Sequence, residues 1–135
     1  MFDTGKISLI IANEKLDFDN IAMQLNITPT KMLRKGDCIS KILGPNTEDV
    51  WIYEEEAKTV EELNHTICKF LSNDFINQKE LGNIIAKNRV ILKCYIQSLY
   101  AQISLDLYPY TLNLLADSNI PFRLNIMSWG NVSVE

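Results

Sequence analysis

The sequence predicts a single α+β domain spanning residues 1–135, most concretely a ferredoxin-like two-layer sandwich with a mainly antiparallel sheet and its helices on one face. Three observations point there. At 135 residues the chain is long enough for one hydrophobic core and too short for two ordinary ones. Hydrophobic residues make up 47% and charged residues 22%, which is globular usage rather than that of a disordered chain or a disulfide-held miniature. The order strand, helix, strand occurs twice, and each passage leaves its helix through a similar phrase, Asn26-Ile27-Thr28-Pro29 and Asn119-Ile120-Pro121. A duplicated βαβ-like plan around one sheet follows.

The elements follow in order. Lys6 to Ala12 (KISLIIA) is β-branched and nearly continuous in apolar character, as in a strand buried on both faces or nearly so. Asp17 or Asp19 can accept hydrogen bonds from the free amides of a first helical turn, and Ile21, Ala22 and Leu25 then recur at helical spacing to a stop near Asn26. Pro29 holds Thr28 out of the helical region, so Lys31 to Lys35 reads as a second strand. Gly36-Asp37 and Gly44-Pro45-Asn46 mark turns. Between Gly36 and Trp51, Cys38, Ile39, Ile42 and Leu43 are too apolar for a plain solvent loop and predict that part of it packs or pairs as an edge strand.

Val50 to Tyr53 is dense in strand formers, and the acids after it read as a solvated loop. Thr59 and Glu62 form a capping box before an apolar stripe of Val60, Leu63, Ile67, Phe70 and Leu71, the most clearly signalled helix in the chain. A further helix is predicted over Asn77 to Lys87, where Gly82 costs about 1 kcal/mol of propensity. Val90 to Ile96 is the clearest strand, and Ala101 to Leu107 reads as an extended piece. Pro109 starts a helix that runs through Asp117 with Leu112, Leu115 and Ala116 inward. After Pro121, Phe122, Leu124 and Ile126 alternate with Arg123, Asn125 and Met127, predicting a last strand with one buried face.

The pattern Leu16-Asp17-Phe18-Asp19, Leu25-Asn26-Ile27-Thr28-Pro29-Thr30, Arg34-Lys35-Gly36-Asp37 and Trp51 resembles a family of small bacterial proteins known as domain of unknown function 4279. Its specific part is the spacing of Pro29, Thr30, Lys35, Gly36 and Asp37, and the similarity runs more loosely through most of the chain. The resemblance implies an α+β domain with no established activity, some of whose relatives look like immunity proteins beside toxin genes. It supplies no catalytic residues.

Charge is unevenly placed within a net −4. Lys31 to Lys41 holds four bases and one acid, whereas Glu48 to Glu62 holds seven acids and one base. A net negative chain without a basic face disfavours nucleic acid as a partner. No apolar run reaches the roughly eighteen residues that span a bilayer, and Met1 to Ala12 carries Asp3 and Lys6 where a secretion signal would have a basic head and an apolar stretch. These features predict a cytoplasmic protein that does not engage membranes. Cys38, Cys68 and Cys94 lack metal-ligand spacing and read as reduced thiols, so no metal or other cofactor is expected.

Two candidate sites stand beside simpler structural readings. Thr30, Arg34, Lys35, Gly36 and Asp37 could cradle a small anion between backbone amides and two cations, or they could tie down turns with the cations solvated. Glu54, Glu55 and Glu56, with Trp51 close by, could present a negative face to a basic partner, or they could be a solvated run before a helix whose start favours acids. The lone His65 lies near Glu61 and Glu62 with no nucleophile motif, which reads as a helix flank. The sequence therefore predicts a non-enzymatic interaction domain, concretely an immunity-type inhibitor of a toxin-like protein, with a regulatory module for a small anionic ligand as the alternative. Self-association through a strand edge is a third reading.

Overall fold

The computed structural model describes residues 2–40 and 44–131. Its elements are β1 (Thr4–Asn13), α1 (Phe18–Leu25), β2 (Lys31–Leu33), β3 (Cys38–Ser40), β4 (Gly44–Pro45), β5 (Asp49–Glu56), α2 (Val60–Phe70), α3 (Gln78–Lys87), β6 (Arg89–Tyr100), α4 (Pro109–Ser118) and β7 (Phe122–Asn131). Ile39 lies in the small β3–β4 hairpin, which bears out local pairing there, while Lys41, Ile42 and Leu43 fall outside the described residues. No helix among the described residues is long and apolar enough to cross a membrane.

Five strands form one sheet in the order β2-β5-β1-β6-β7. β1 is central and antiparallel to both neighbours, with Leu9 opposite Tyr53 on one side and Leu92 on the other. The passage β1-α1-β2 steps over β5, and the passage β5-α2-α3-β6 steps over β1. Three of its four pairings are antiparallel, as expected, and the fourth is parallel, so the sheet is mixed and a ferredoxin-like sandwich does not describe it as a whole. α4 carries the chain back to the start of the sheet, and β7 runs parallel to β6. The two passages compared in the sequence also differ: β1 and β2 are separated by β5, whereas β6 and β7 are direct neighbours.

The shared exit phrase is instead a local device for stopping helices. Asn26 and Asn119 both take up the left-handed conformation, with φ of 56° and 58°, which asparagine tolerates better than most residues. The isoleucine after each, Ile27 and Ile120, is buried in the core and pins the chain as it leaves. Asp17, Thr59 and Asn77 cap the starts of α1, α2 and α3 by accepting bonds from amides of the first turn.

Strand alternation places Ile7, Leu9 and Ile11 of β1 on the same face as Trp51 of β5 and Val90, Leu92, Cys94 and Ile96 of β6. These residues join Ile21 and Leu25 of α1, Leu63, Ile67 and Phe70 of α2, and Leu81 and Ile84 of α3 in one buried cluster. Burial of Cys94 in it pushes the thiol up to about 11, as for an unreactive core thiol. Residues 101–107 form no strand, but Ile103, Leu105 and Leu107 pack partly against the cluster.

α4 is rotated from the expected orientation. Thr111 is fully buried, while Leu112 and Ala116 face water. The cause is Asn64 of α2, wholly buried, whose Oδ1 accepts from Thr111 Oγ1 at 2.7 Å and from Tyr108 N at 3.0 Å. Its Nδ2 donates to Val60 O and Asp106 O, each at 2.8 Å. Every hydrogen-bonding position of the amide is used, so the inward residue of the first turn is a threonine.

Candidate functional site

Thr30 to Asp37 runs along the outer edge of the sheet and turns toward the β3–β4 hairpin. Thr30 N donates to Ile52 O at 2.8 Å and its Oγ1 accepts from Glu54 N at 3.0 Å, so Thr30 fastens the entrance of β2 to β5. Asp37 Oδ2 accepts from Arg34 N at 2.8 Å across a tight turn, in which Gly36 has a φ of 96° that glycine adopts without strain. Gly36 N donates to Asn46 O at 2.8 Å.

Asp49, buried at the start of β5, is the hub of this region. Its Oδ1 accepts from Lys35 N at 2.7 Å, and its Oδ2 accepts from Leu16 N at 3.0 Å and from Arg34 Nη1 at 3.2 Å. The two backbone amides, Leu16 first, and then Arg34 hold the Asp49 carboxyl below its ordinary range, against the opposing effect of burial. Arg34 also donates to Leu16 O and lies 4.1 Å from the centre of the Phe18 ring, while Lys35 Nζ is 3.0 Å from Glu14. The structure thus brings Arg34, Lys35, Gly36 and Asp37 together. The amides that an anion would need at 34, 35 and 36 already donate to Asp37, Asp49 and Asn46.

The acidic run is not a loop, as the sequence suggested, but the end of β5, and period-two alternation divides it. Glu54 lies on the face away from the helices, accepts from Ser8 Oγ at 3.2 Å and is 3.9 Å from both Lys6 and Lys31. Glu55 lies on the helix side, where Lys69 Nζ reaches both carboxylate oxygens at 3.1 and 3.0 Å and the Tyr53 hydroxyl donates at 2.9 Å. Glu56 remains exposed, beside a shallow depression shared with Glu61, Glu62 and His65. Trp51 is fully buried and offers no surface to a partner.

The most exposed apolar element is one that the sequence reading set inside. Beyond half-buried Phe122, the expected buried face of β7 is open, with Leu124 keeping 42% and Ile126 48% of its surface, and on the opposite face Met127 and Trp129 keep 44% and 54%. Leu99 and Tyr100, at the end of β6, are also exposed. The sequence did contain a signal for this, since apolar residues fall on both parities of the strand, where a single buried face calls for one. A separate polar cleft of about 160 Å³ between α1 and α3 is lined by Lys15, Asn20, Gln24, Asn83, Lys87 and Asn88 among others. Among the described residues, no three His, Cys, Asp or Glu side chains converge on a point that could hold a metal ion.

A family model described as "Domain of unknown function (DUF4279)" matches residues 3–129. No curated protein and no solved structure matches the chain.

Proposed function

The chain belongs to the DUF4279 family, and from its geometry we propose that it is a non-enzymatic protein-interaction domain that engages its partner through the open edge of β7. The observation behind this reading is the exposure of Leu124, Ile126, Met127 and Trp129 on a ten-residue edge strand. By strand alternation Leu124 and Ile126 flank the edge on the helix side and Met127 and Trp129 on the other, so each side carries on the order of 200 Å² of free side-chain surface, taking about 200 Å² per large side chain. An edge of this kind binds a second strand through main-chain hydrogen bonds, with side chains supplying selectivity.

An immunity-type inhibitor would also use this edge. The acidic stretch suits that role less well, because Glu54 and Glu55 point to opposite faces and are paired with cations of the same chain. A small-anion module centred on Arg34 and Lys35 is less favoured again, since the amides there have internal partners.

Photo-crosslinking in the cells that make the protein tests the proposal. A photoreactive side chain replacing Ile126 should yield discrete protein adducts, and the same group replacing Glu56 should not. Adducts from position 56 alone, or from neither position, would refute it.

A further inference from the structure

Resting on that reading of β7, we propose that the strand the edge receives is β7 of a second copy of the chain, paired antiparallel about a two-fold axis at Asn125. The backbone sets which groups are free. Leu92 N donates to Pro121 O at 3.0 Å, so by strand alternation the odd-numbered residues of this stretch turn their N–H and C=O toward β6. Residues 122, 124, 126 and 128 turn theirs outward. The β6–β7 register holds to Ser128 and shifts after it, where Gly130 takes a φ of 79°. The outward ladder therefore runs from 122 to 128, and its midpoint is Asn125.

Symmetric pairing about that midpoint satisfies every outward group between 122 and 128, and the side chains agree with it. Leu124 comes to lie opposite Ile126 of the second copy, and Ile126 opposite its Leu124, so the two half-exposed aliphatic residues on the helix side cover each other. On the other face Arg123, the one charged residue of β7, falls opposite Met127 rather than its own copy, so no like charges meet. Devices that ordinarily protect an edge, such as lysine, proline or an inward charge, are missing between Leu124 and Gly130. The two five-stranded sheets would become one continuous sheet. The interface lies at the small end of the specific size range, so the dimer should form reversibly with concentration.

Sedimentation of the full chain from low micromolar to near-millimolar concentration should show a rise from 15.5 kDa to twice that mass. The exposed substitutions Leu124→Lys and Ile126→Lys should abolish the rise while leaving the circular dichroism spectrum unchanged. Disulfide trapping reads the register. Asn125 faces itself as a non-hydrogen-bonded pair with Cα atoms about 4.5 Å apart, within disulfide reach, whereas the two Met127 Cα atoms would be roughly 14 Å apart, offset by four residues at about 3.4 Å each. Asn125→Cys should therefore form a covalent dimer under mild oxidation, beyond any background from the parent chain, and Met127→Cys should not. A monomer at every concentration, or trapping through Met127→Cys in preference to Asn125→Cys, overturns the self-pairing. Adducts from position 126 with a different protein would then leave the interaction reading standing, and their absence would remove both.

Discussion

Arg34 and Asp49 form the clasp that closes one edge of the sheet: Nη1 lies 3.2 Å from Oδ2, and the guanidinium stacks 4.1 Å from the Phe18 ring. Asp49 also receives the Leu16 and Lys35 amides, so one carboxylate joins the start of α1, the end of β2 and the start of β5. The P-T-x-x-x-x-K-G-D spacing is accounted for by this architecture, through Thr30 on β5 and Asp37 on its own turn.

The pH dependence of stability should carry the mark of Asp49. Its folded carboxyl titrates below the ordinary value of 3.8, so the unfolded chain takes up a proton first as pH falls. The stabilisation is complete above the unfolded value and is lost as pH drops from there through the lowered folded value. Asp49→Asn should lower the melting temperature by several degrees at neutral pH and flatten the acid limb of a urea-denaturation series. An unaltered acid limb would show that other carboxylates dominate.

Asn26 and Asn119 should respond alike to substitution, because each ends a helix with positive φ. Alanine at either position should cost about 1–2 kcal/mol, the strain of an ordinary side chain in the left-handed region, whereas glycine should be close to neutral. Denaturation midpoints of the four variants decide this.

Such local features were legible in the sequence because the groups that decide them lie within a few residues of one another. The caps at Asp17 and Thr59, the stops at Asn26 and Asn119, and the α+β class all belong here. Features decided by distant partners were not legible. Thr111 turned inward in place of Leu112 because Asn64, 47 residues earlier, accepts its hydroxyl. Glu54 and Glu55 separated to two faces because β5 extends to pair with Lys6 and Ile7. The candidate anion site turned out to be occupied by Asp49, whose side chain gives no sign in the sequence of which amides it meets.

Two glycines should respond to alanine with opposite signs. A Cβ at Gly5 would lie 1.9 Å from the Ala57 carbonyl oxygen, whose residue is hydrogen-bonded back to Gly5 O at 2.9 Å, so neither backbone can move aside freely. Gly5→Ala should cost about 1–3 kcal/mol, as overpacking does. At Gly82, inside α3, nothing lies within 4 Å of the added carbon, and alanine should gain up to about 1 kcal/mol of helix propensity. Urea denaturation of both variants gives the comparison.

Removing the Asn64 amide should be among the most damaging single changes. Asn64→Leu takes the partner from the buried Thr111 hydroxyl and from the part-buried Tyr108 N and Asp106 O, and the loss should reach about 3 kcal/mol, with a buried orphan costing roughly 1–3. Thr111→Val removes one bond and should cost less. The double variant should fall short of the sum, because both changes break the same hydrogen bond. Full additivity in a double-mutant cycle would mean that the two side chains act independently.

Tyr53 supplies the alkaline counterpart to Asp49. Burial first, and then the hydrogen bond and negative charge of Glu55, push its phenol up to about 12 from an ordinary 10.0. The ring packs between Phe70 and Phe75, with centroids at 5.5 and 5.8 Å. In an ultraviolet titration of the five tyrosines, one should ionise later than the rest, and Tyr53→Phe should delete that step. Glu55→Gln should bring the step down without restoring it fully, because burial, the larger cause, remains. The sign for stability is the reverse of the acid case: the unfolded chain loses this proton first, so the contribution is whole below about 10 and declines as pH rises from there toward 12. Ionisation of Tyr53 together with the other tyrosines would mean that the Tyr53–Glu55 contact opens to water in solution.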